Sequence, residues 1–211
     1  MLNSKGFDLW ADGYDKAVGI SDEDNTYPFA GYKEVLGRIF RAVMEEPGAT
    51  VLDIGFGTGT LTTKLYENGC TVYGQDFSAR MIELARKKMP EAVLVHRAFS
   101  EGLDESLHAR RYDFIISTYA LHHLDSAGKL PLIRELLDCL KPGGKLLIGD
   151  VAFRTQEDLD ACRREAGDEW DDEEFYFIRD EMLKDFPAME YEQVSGCAGL
   201  MILPAGPGGK P

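Results

Sequence analysis

Residues 53–59 are Asp53-Ile54-Gly55-Phe56-Gly57-Thr58-Gly59. They follow an apolar run that begins at Thr50 and precede a segment of helical periodicity that ends before Asn68. Three glycines at alternate positions between a strand and a helix permit a tight turn and bring the backbone close to a ligand. Free amides at the start of the next helix suit a carboxylate or a phosphate. The stretch therefore predicts a ligand site at the end of a buried strand.

Outward from this stretch, apolar runs of strand length alternate with segments of helical periodicity. The predicted strands are 50–54, 71–75, 92–96, 112–117 and 145–149, and the predicted helices are 31–43, 58–67, 79–89 and 126–140. Residues 141–144, Lys-Pro-Gly-Gly in sequence, are interpreted as a stop between the last helix and the fifth strand. Strands that are apolar throughout are typical of a parallel sheet covered on both faces. The pattern predicts a doubly wound α/β fold.

The C-terminal part of the chain departs from this alternation. Two further strands, 189–194 and 198–203, are separated by only a few residues. They must be antiparallel, because a parallel crossover needs a dozen or more residues. We expect three parts: an N-terminal flap and helix at 1–45 that covers the site, a core domain at 46–204, and a flexible tail at 205–211.

Two carboxylates narrow the choice of ligand. Asp53 stands two positions before Gly55, where it would repel a pyrophosphate and attract an ammonium group. The dinucleotide fingerprint requires glycine at its sixth position, and this chain has Thr60 there. Asp76 closes the second predicted strand, where a carboxylate accepts hydrogen bonds from both hydroxyls of a ribose. Alternatively, Asp76 is an acidic residue that stabilises the N-terminus of the following helix. The pair favours an amino-acid-bearing nucleoside over a dinucleotide.

The charge of the chain limits its partners. The formal net charge is -14, which disfavours nucleic acid and anionic membrane surfaces. The acidic run 165–174 is interpreted as a solvated loop or helix rim, and attraction of a cationic substrate is the less favoured alternative. Four scattered cysteines, no signal peptide and no apolar run of membrane-spanning length indicate a cytoplasmic protein with reduced thiols. We expect a small-molecule partner, no nucleic acid, no membrane, and a monomer or homodimer.

These motifs, together with Gly74-Gln75-Asp76-Phe77-Ser78 and the segment 140–146, resemble the class I S-adenosylmethionine-dependent methyltransferases. The N-terminal segment 7–15 is similar to that of a small, largely uncharacterised bacterial branch of the family. The resemblance implies a Rossmann-like methyltransferase fold, with seven strands in a mostly parallel sheet that ends in an antiparallel hairpin. It also implies S-adenosylmethionine as cofactor, S-adenosylhomocysteine as product, and methyl transfer to a small molecule.

The resemblance also assigns cofactor-binding residues. Asp53 would face the amino group and Asp76 the ribose, while Phe77 would lie against the adenine. Where the family often has Gly-Asp after the third strand, this chain has Arg97-Ala98, so a carboxylate near the adenine is missing. The remaining implied contacts come from the glycine turn, from backbone groups near the adenine and from the end of the fourth strand: Gly55, Phe56, Gly57, Gly59, Ala98, Phe99 and Ser117.

The segment 117–124 follows the fourth predicted strand and should line the mouth where cofactor and substrate meet. A hydroxyl or carbon acid would need a general base, for which His122, His123 and Tyr119 are the candidates, whereas an amine or thiolate needs none. A structural role for the histidines is the alternative. Adjacent histidines point in different directions on a strand or a helix, so we expect no shared metal ion.

Trp10 and Tyr14 lie in an aromatic segment ahead of the sheet. They are expected either to close over the cofactor as part of a flap or simply to pack in a helix. Two other classes of protein remain as alternatives. One is a non-catalytic protein that binds S-adenosylmethionine or S-adenosylhomocysteine for regulation, and the other is a nicotinamide-dependent oxidoreductase.

Overall fold

The computed structural model describes residues 26–206. Its α-helices are α1 (Tyr32–Met44), α2 (Thr60–Glu67), α3 (Ala79–Lys88), α4 (Glu105–His108), α5 (Ser126–Asp138), α6 (Gln156–Ala166) and α7 (Arg179–Asp185). Its strands are β1 (Thr50–Ile54), β2 (Thr71–Asp76), β3 (Val93–His96), β4 (Tyr112–Thr118), β5 (Leu140–Phe153), β6 (Phe177–Ile178), β7 (Glu190–Gln193) and β8 (Ala198–Pro204). Short 3-10 helices occupy Phe99–Glu101, Leu121–His123 and Gly167–Glu169.

The strands form one sheet in the order β3-β2-β1-β4-β5-β8-β7. Strands β1 to β5 are parallel, while β8 pairs antiparallel with both β5 and β7. The two-residue β6 lies off this path and pairs with the end of β5. The predicted doubly wound fold with an antiparallel C-terminal hairpin is confirmed, and β6 is one short strand beyond the seven expected.

Two apolar clusters lie on opposite faces of the sheet. Helices α1, α2 and α3 contribute to one cluster through side chains such as Val35, Leu65 and Ile82. Helices α4, α5 and α7 contribute to the other, which includes Leu107 and Ile133. Helices cover both faces of the sheet, so a ligand site is expected at an edge. The polar residues at the ends of β1, β2 and β4 lie at the carboxyl edge, where ligands bind in such sheets.

Strand β5 is longer than the sequence predicts. It begins at Leu140, so the expected stop at residues 141–144 is wrong, although α5 does end at Asp138. Leu140 pairs with Tyr112, and the register shifts between Tyr112 and Phe114 to accommodate the glycines. A Cβ atom at Gly144 would lie 2.9 Å from the carbonyl oxygens of Tyr112 and Asp113. Glycine is thus needed for close strand pairing here rather than for termination.

Helix α1 packs directly on the sheet. Val35, Ile39 and Val43 are fully buried, and a Cβ atom at Gly149 of β5 would lie 2.3 Å from Val35 Cγ1. Residues 1–25, and with them the predicted flap residues Trp10 and Tyr14, lie outside the described part of the chain. Within residues 26–206, no helix combines the length and the apolar character needed to cross a membrane.

Gly149→Ala should destabilise the fold because its new methyl group overlaps Val35 and Ile39. We expect the free energy of unfolding, measured in urea, to fall by about 1–3 kcal/mol. Gly37→Ala in α1 is the matched control, since its nearest neighbour is the flexible end of Arg41 at 3.4 Å. That variant should gain about 0.5–1 kcal/mol from helix propensity. Equal stability of the two variants would refute the close packing of α1 on β5.

Candidate active site

A cavity of about 710 Å³ opens at the carboxyl ends of β1, β2 and β4. Ligands bind at this edge in open parallel sheets, where strand order reverses. Ten of the residues predicted from the sequence line it: Asp53, Gly55, Phe56, Gly57, Asp76, Phe77, Phe99, Tyr119, His122 and His123.

Three other predicted residues lie off the cavity wall. Ser117 is buried within the sheet, where its hydroxyl donates to the Ile54 carbonyl at 2.9 Å. Gly59 caps α2, and a Cβ atom there would face Met89 and Thr63 rather than open space. Ala98 precedes the 3-10 helix that carries Phe99 into the cavity.

The glycine turn follows β1 in left-handed backbone geometry. Gly55 has φ 73°, and a Cβ atom there would lie 2.5 Å from that of Ala120, so this position admits only glycine. Gly57 has φ 55°, and a Cβ atom there would meet no protein atom within 4 Å. Gly57 therefore exposes bare backbone to the cavity.

Asp76 joins the glycine turn to α3. Its Oδ2 accepts a hydrogen bond from the Gly57 amide at 2.9 Å, and its Oδ1 accepts one from the Ser78 amide at 2.8 Å. Burial raises the pKa of this carboxyl group above its ordinary value. Each carboxylate oxygen can accept a second hydrogen bond, so the group can hold the turn and still bind hydroxyls in the cavity.

Asp53 is buried at the end of β1 and lines the same cavity. Its Oδ2 accepts a hydrogen bond from the Thr62 hydroxyl. Its Oδ1 has no hydrogen-bond partner within residues 26–206. Burial, together with the nearby charge of Asp76, raises the pKa of Asp53 to about 7. A buried carboxylate with an unpartnered oxygen is suited to a cationic donor that enters through the cavity.

The two adjacent histidines lie side by side, so the expectation that they diverge is wrong. Tyr119 has φ 49°, and the 3-10 helix after it turns the chain sharply, which brings the His122 and His123 ring centroids to 4.2 Å. Both rings face one carboxylate, with His122 Nε2 3.5 Å and His123 Nδ1 3.9 Å from Glu174 Oε1.

Asp150 lies in β5, which is flanked by β4 and β8 in the sheet. It orients the His122 ring. His122 Nδ1 donates to Asp150 Oδ1 at 2.6 Å, and that oxygen also accepts from the Val151 amide at 2.8 Å. Burial opposes both charges, but the two groups together raise the pKa of His122 and hold that of Asp150 below its usual value. In contrast, burial and the charge of His122 lower the pKa of His123 to about 4.

Several residues on or behind the cavity wall were not predicted from the sequence, among them the buried Asp150, which supports His122 from behind the wall. Asp150 could have been found, because an acid inside an otherwise apolar strand resembles Asp53. Glu174 belongs to the acidic run interpreted as solvated, yet the cavity is lined by Glu169, Asp171 and Glu174. Three aromatic side chains also line the cavity and are called the aromatic wall: Tyr27, Phe29 and Tyr32. No pattern in the sequence predicted them.

The aromatic wall is held together by ring contacts across distant parts of the chain. The centroids of Phe29 and Tyr32 lie 5.5 Å and 5.0 Å from that of Tyr119. Tyr27 stacks on Trp170 at 5.1 Å. These rings add apolar surface to a cavity that also carries carboxylates, a combination typical of small-molecule sites.

Comparison with known proteins gives consistent matches. A family described as a methyltransferase domain matches residues 51–144. An uncharacterised methyltransferase of Geobacillus sp. strain WCH70 is 38% identical over 160 residues, which cover 76% of this chain and 72% of the relative. The chain also resembles DhpI, solved as a complex with SAH, with a TM-score of 0.70 and 17% identity over 97% and 96% of the two chains. For magnesium protoporphyrin IX methyltransferase of Synechocystis PCC 6803 with bound SAH, the TM-score is 0.66 with 17% identity over 84% and 85%.

The pKa of Asp53 makes a prediction about stability. Because its folded pKa, about 7, exceeds the ordinary value of 3.8 for an aspartate, the folded state holds the proton more tightly. The parent therefore loses stability as pH rises between these two values. Asp53→Asn removes this loss, so the stability of the variant relative to the parent should rise by up to about 4 kcal/mol between pH 4 and pH 8.

Urea unfolding at the two pH values measures the difference, with Asp172→Asn as an exposed control that should show little change. A relative stability of Asp53→Asn that does not vary with pH would mean that Asp53 ionises normally in the folded protein.

Proposed function

Because the chain belongs to the class I S-adenosylmethionine-dependent methyltransferases, we propose that it methylates a small molecule bound in the 710 Å³ cavity. One observation carries the proposal. The cavity joins a carboxylate-and-glycine end, formed by Asp53, Gly57 and Asp76, to an end that carries Tyr119 and His122. The first end suits the cofactor, and the second suits the methyl acceptor.

The residues at the first end fit the cofactor. When bound, S-adenosylmethionine supplies an electrophilic methyl group on its sulfonium sulfur. In our assignment Asp53 Oδ1, which lacks a partner in the described chain, accepts from the ammonium group of the cofactor. The bare backbone at Gly57 admits its close approach, and Asp76 accepts from the ribose hydroxyls. The rings of Phe77 and Phe99, both on the cavity wall, flank the adenine.

The predicted residues behind the wall have a supporting role in this assignment. The Ser117 hydroxyl ties β4 to the Ile54 carbonyl, directly before the glycine turn. Gly59 closes the turn through its amide, which donates to the Phe56 carbonyl at 2.9 Å. Ala98 sets the direction of the 3-10 helix that carries Phe99. They position cavity residues and need not contact the cofactor.

His122, His123 and Tyr119 form the acceptor end in this proposal. The chain contributes mainly by aligning the nucleophile with the methyl group, since orientation alone can lower a barrier by about 7–11 kcal/mol. Asp150 fixes the orientation of the His122 ring. The aromatic wall of Tyr27, Phe29 and Tyr32 limits the access of water.

The size and charge of the site favour a small acceptor. A cavity of about 710 Å³ lies within the ordinary range for small-molecule sites. The net charge of -14 disfavours nucleic acid as the methyl acceptor. The proposal is therefore methyl transfer to a small molecule whose reacting atom reaches Tyr119 and the histidines.

Thermal unfolding with added nucleosides tests cofactor binding. At 100 times its dissociation constant, S-adenosylhomocysteine should stabilise the protein by about 2.7 kcal/mol, while NAD should give no rise in melting temperature. Release of S-adenosylhomocysteine from S-adenosylmethionine, measured across a panel of small thiols, alcohols and amines, then tests transfer. Stabilisation by NAD but not by the sulfur nucleosides would overturn the proposal.

Gly57→Ala tests where the cofactor lies. Its methyl group would project into the cavity, so we expect at least tenfold weaker binding of S-adenosylhomocysteine by calorimetry. Gly143→Ala is the matched control, since Gly143 has φ 82° and equally open surroundings but lies away from the cavity. Both variants should lose about 1–2 kcal/mol of stability from left-handed strain. Equal affinity in the two variants would place the cofactor elsewhere.

A further inference from the structure

We propose that His122, His123 and Glu174 form a divalent-cation site at the acceptor end of the cavity, and that the cation binds the methyl acceptor. One ligand atom from each of these residues lies within 4.8 Å of the others. The closest pair, His122 Nε2 and Glu174 Oε1, is 3.5 Å apart, and His123 Nδ1 lies 3.9 Å from the same oxygen.

These separations suit zinc. Zinc binds imidazole nitrogen and carboxylate oxygen at about 2.0–2.2 Å, so its tetrahedral ligands lie roughly 3.4 Å from one another. The His122–Glu174 pair already has this spacing. His123, whose side chain is 30% exposed on the cavity wall, needs only a small rotation to join them. Two imidazoles and one carboxylate are a donor set of catalytic zinc, which keeps its fourth position open.

In this proposal the methyl acceptor takes the open position, because all three side chains line the cavity that would hold it.

Two of the proposed ligands have the supporting hydrogen bonds that metal ligands usually have. His122 donates from Nδ1 to Asp150 at 2.6 Å, which leaves Nε2 as the nitrogen that faces Glu174. The Tyr176 hydroxyl donates to Glu174 Oε2 at 2.8 Å, which leaves Oε1 towards the histidines. Such outer partners fix the tautomer and orientation of a ligand and strengthen metal binding.

The charges around the cluster suit a divalent cation. Asp150 and Glu174 carry two negative charges, and the buried Lys129, whose ammonium donates to the Phe175 carbonyl, supplies one positive charge. With neutral imidazoles these three groups sum to one negative charge, and Asp171, whose charge acts on both His123 and Glu174, adds a second. A divalent cation therefore brings the sum to zero. A zinc ion also favours the anionic form of what it binds, because it deprotonates a coordinated thiol.

The chemistry of the cation therefore favours a thiol or hydroxyl acceptor that binds as thiolate or alkoxide, and this step rests on the proposed function. On coordination the acceptor releases its proton to solvent, and its sulfur or oxygen keeps a lone pair for the methyl group.

Zinc binding to the full-length, untagged protein tests the site. After metal is removed with a chelator, zinc is added back and the excess is dialysed away. We then expect about one zinc per chain by mass spectrometry, and cobalt substitution should give the absorption bands of a tetrahedral site. Glu174→Gln and His123→Asn should each weaken zinc binding at least 100-fold. Asp150→Asn, which removes only a supporting partner, should weaken it 10–100-fold.

Two matched controls keep the result specific. Asp172→Asn lies in the same acidic loop, with a side chain 71% exposed, and His108→Asn removes a histidine outside the cavity lining. Both should bind zinc as the parent does. No zinc in the parent, or equal affinity in all variants, would overturn the site. Calorimetry with S-adenosylhomocysteine on the metal-free protein separates the two proposals, because cofactor binding without zinc binding refutes the cation site alone.

Discussion

The structure depends on a carboxylate that is buried without a full set of partners. Asp53 is 1% exposed at the end of a central strand, and only its Oδ2 accepts a hydrogen bond within residues 26–206, from Thr62. Burial disfavours its charged form and raises its pKa to about 7. A chain selected for stability alone would place an apolar residue here. The arrangement is useful when a cationic ligand completes it, which the proposed cofactor does through its ammonium group.

The glycine turn and Asp76 serve the same purpose, which is to let a cationic ligand reach Asp53. Gly55 and Gly57 both have left-handed backbone geometry. A Cβ atom at Gly55 would clash with Ala120, whereas one at Gly57 would meet no protein atom, so Gly57 leaves its backbone open to a ligand that reaches Asp53. Asp76 holds the turn through the Gly57 amide. The end of the cavity that carries the histidines differs in its electrostatics. There the His122 imidazole lies between Asp150 and Glu174, and in our proposal a divalent cation offsets the excess negative charge.

Sequence reasoning succeeded where neighbouring residues determine the outcome. Strand β1, the glycine turn and Asp76 were all predicted, because apolar runs, turn glycines and strand-end acids have local causes. Contacts between distant segments were not predicted. The hydroxyls of Tyr27 and Tyr176 meet although 149 residues separate them, and no local pattern encodes that contact.

The extension of β5 and the pairing of the histidines were mispredicted for a related reason. Gly143 and Gly144 resemble a turn signal, but glycine at 144 is also required for close pairing of β5 with β4. His122 and His123 were judged by strand and helix geometry, whereas a 3-10 helix carries them. Glu174 comes to them from a segment 51 or more residues away, whose acidic composition alone suggested solvent exposure.

Proton release on cofactor binding tests the central role of Asp53 most directly. S-adenosylhomocysteine can be titrated calorimetrically at pH 6 in two buffers of different ionisation enthalpy, a pH at which its own amino group is already protonated. Because Asp53 is largely protonated at this pH and must ionise to pair with the ammonium group, we predict release of close to one proton per cofactor, and none from Asp53→Asn. Binding of S-adenosylhomocysteine to the parent without proton release would contradict the account.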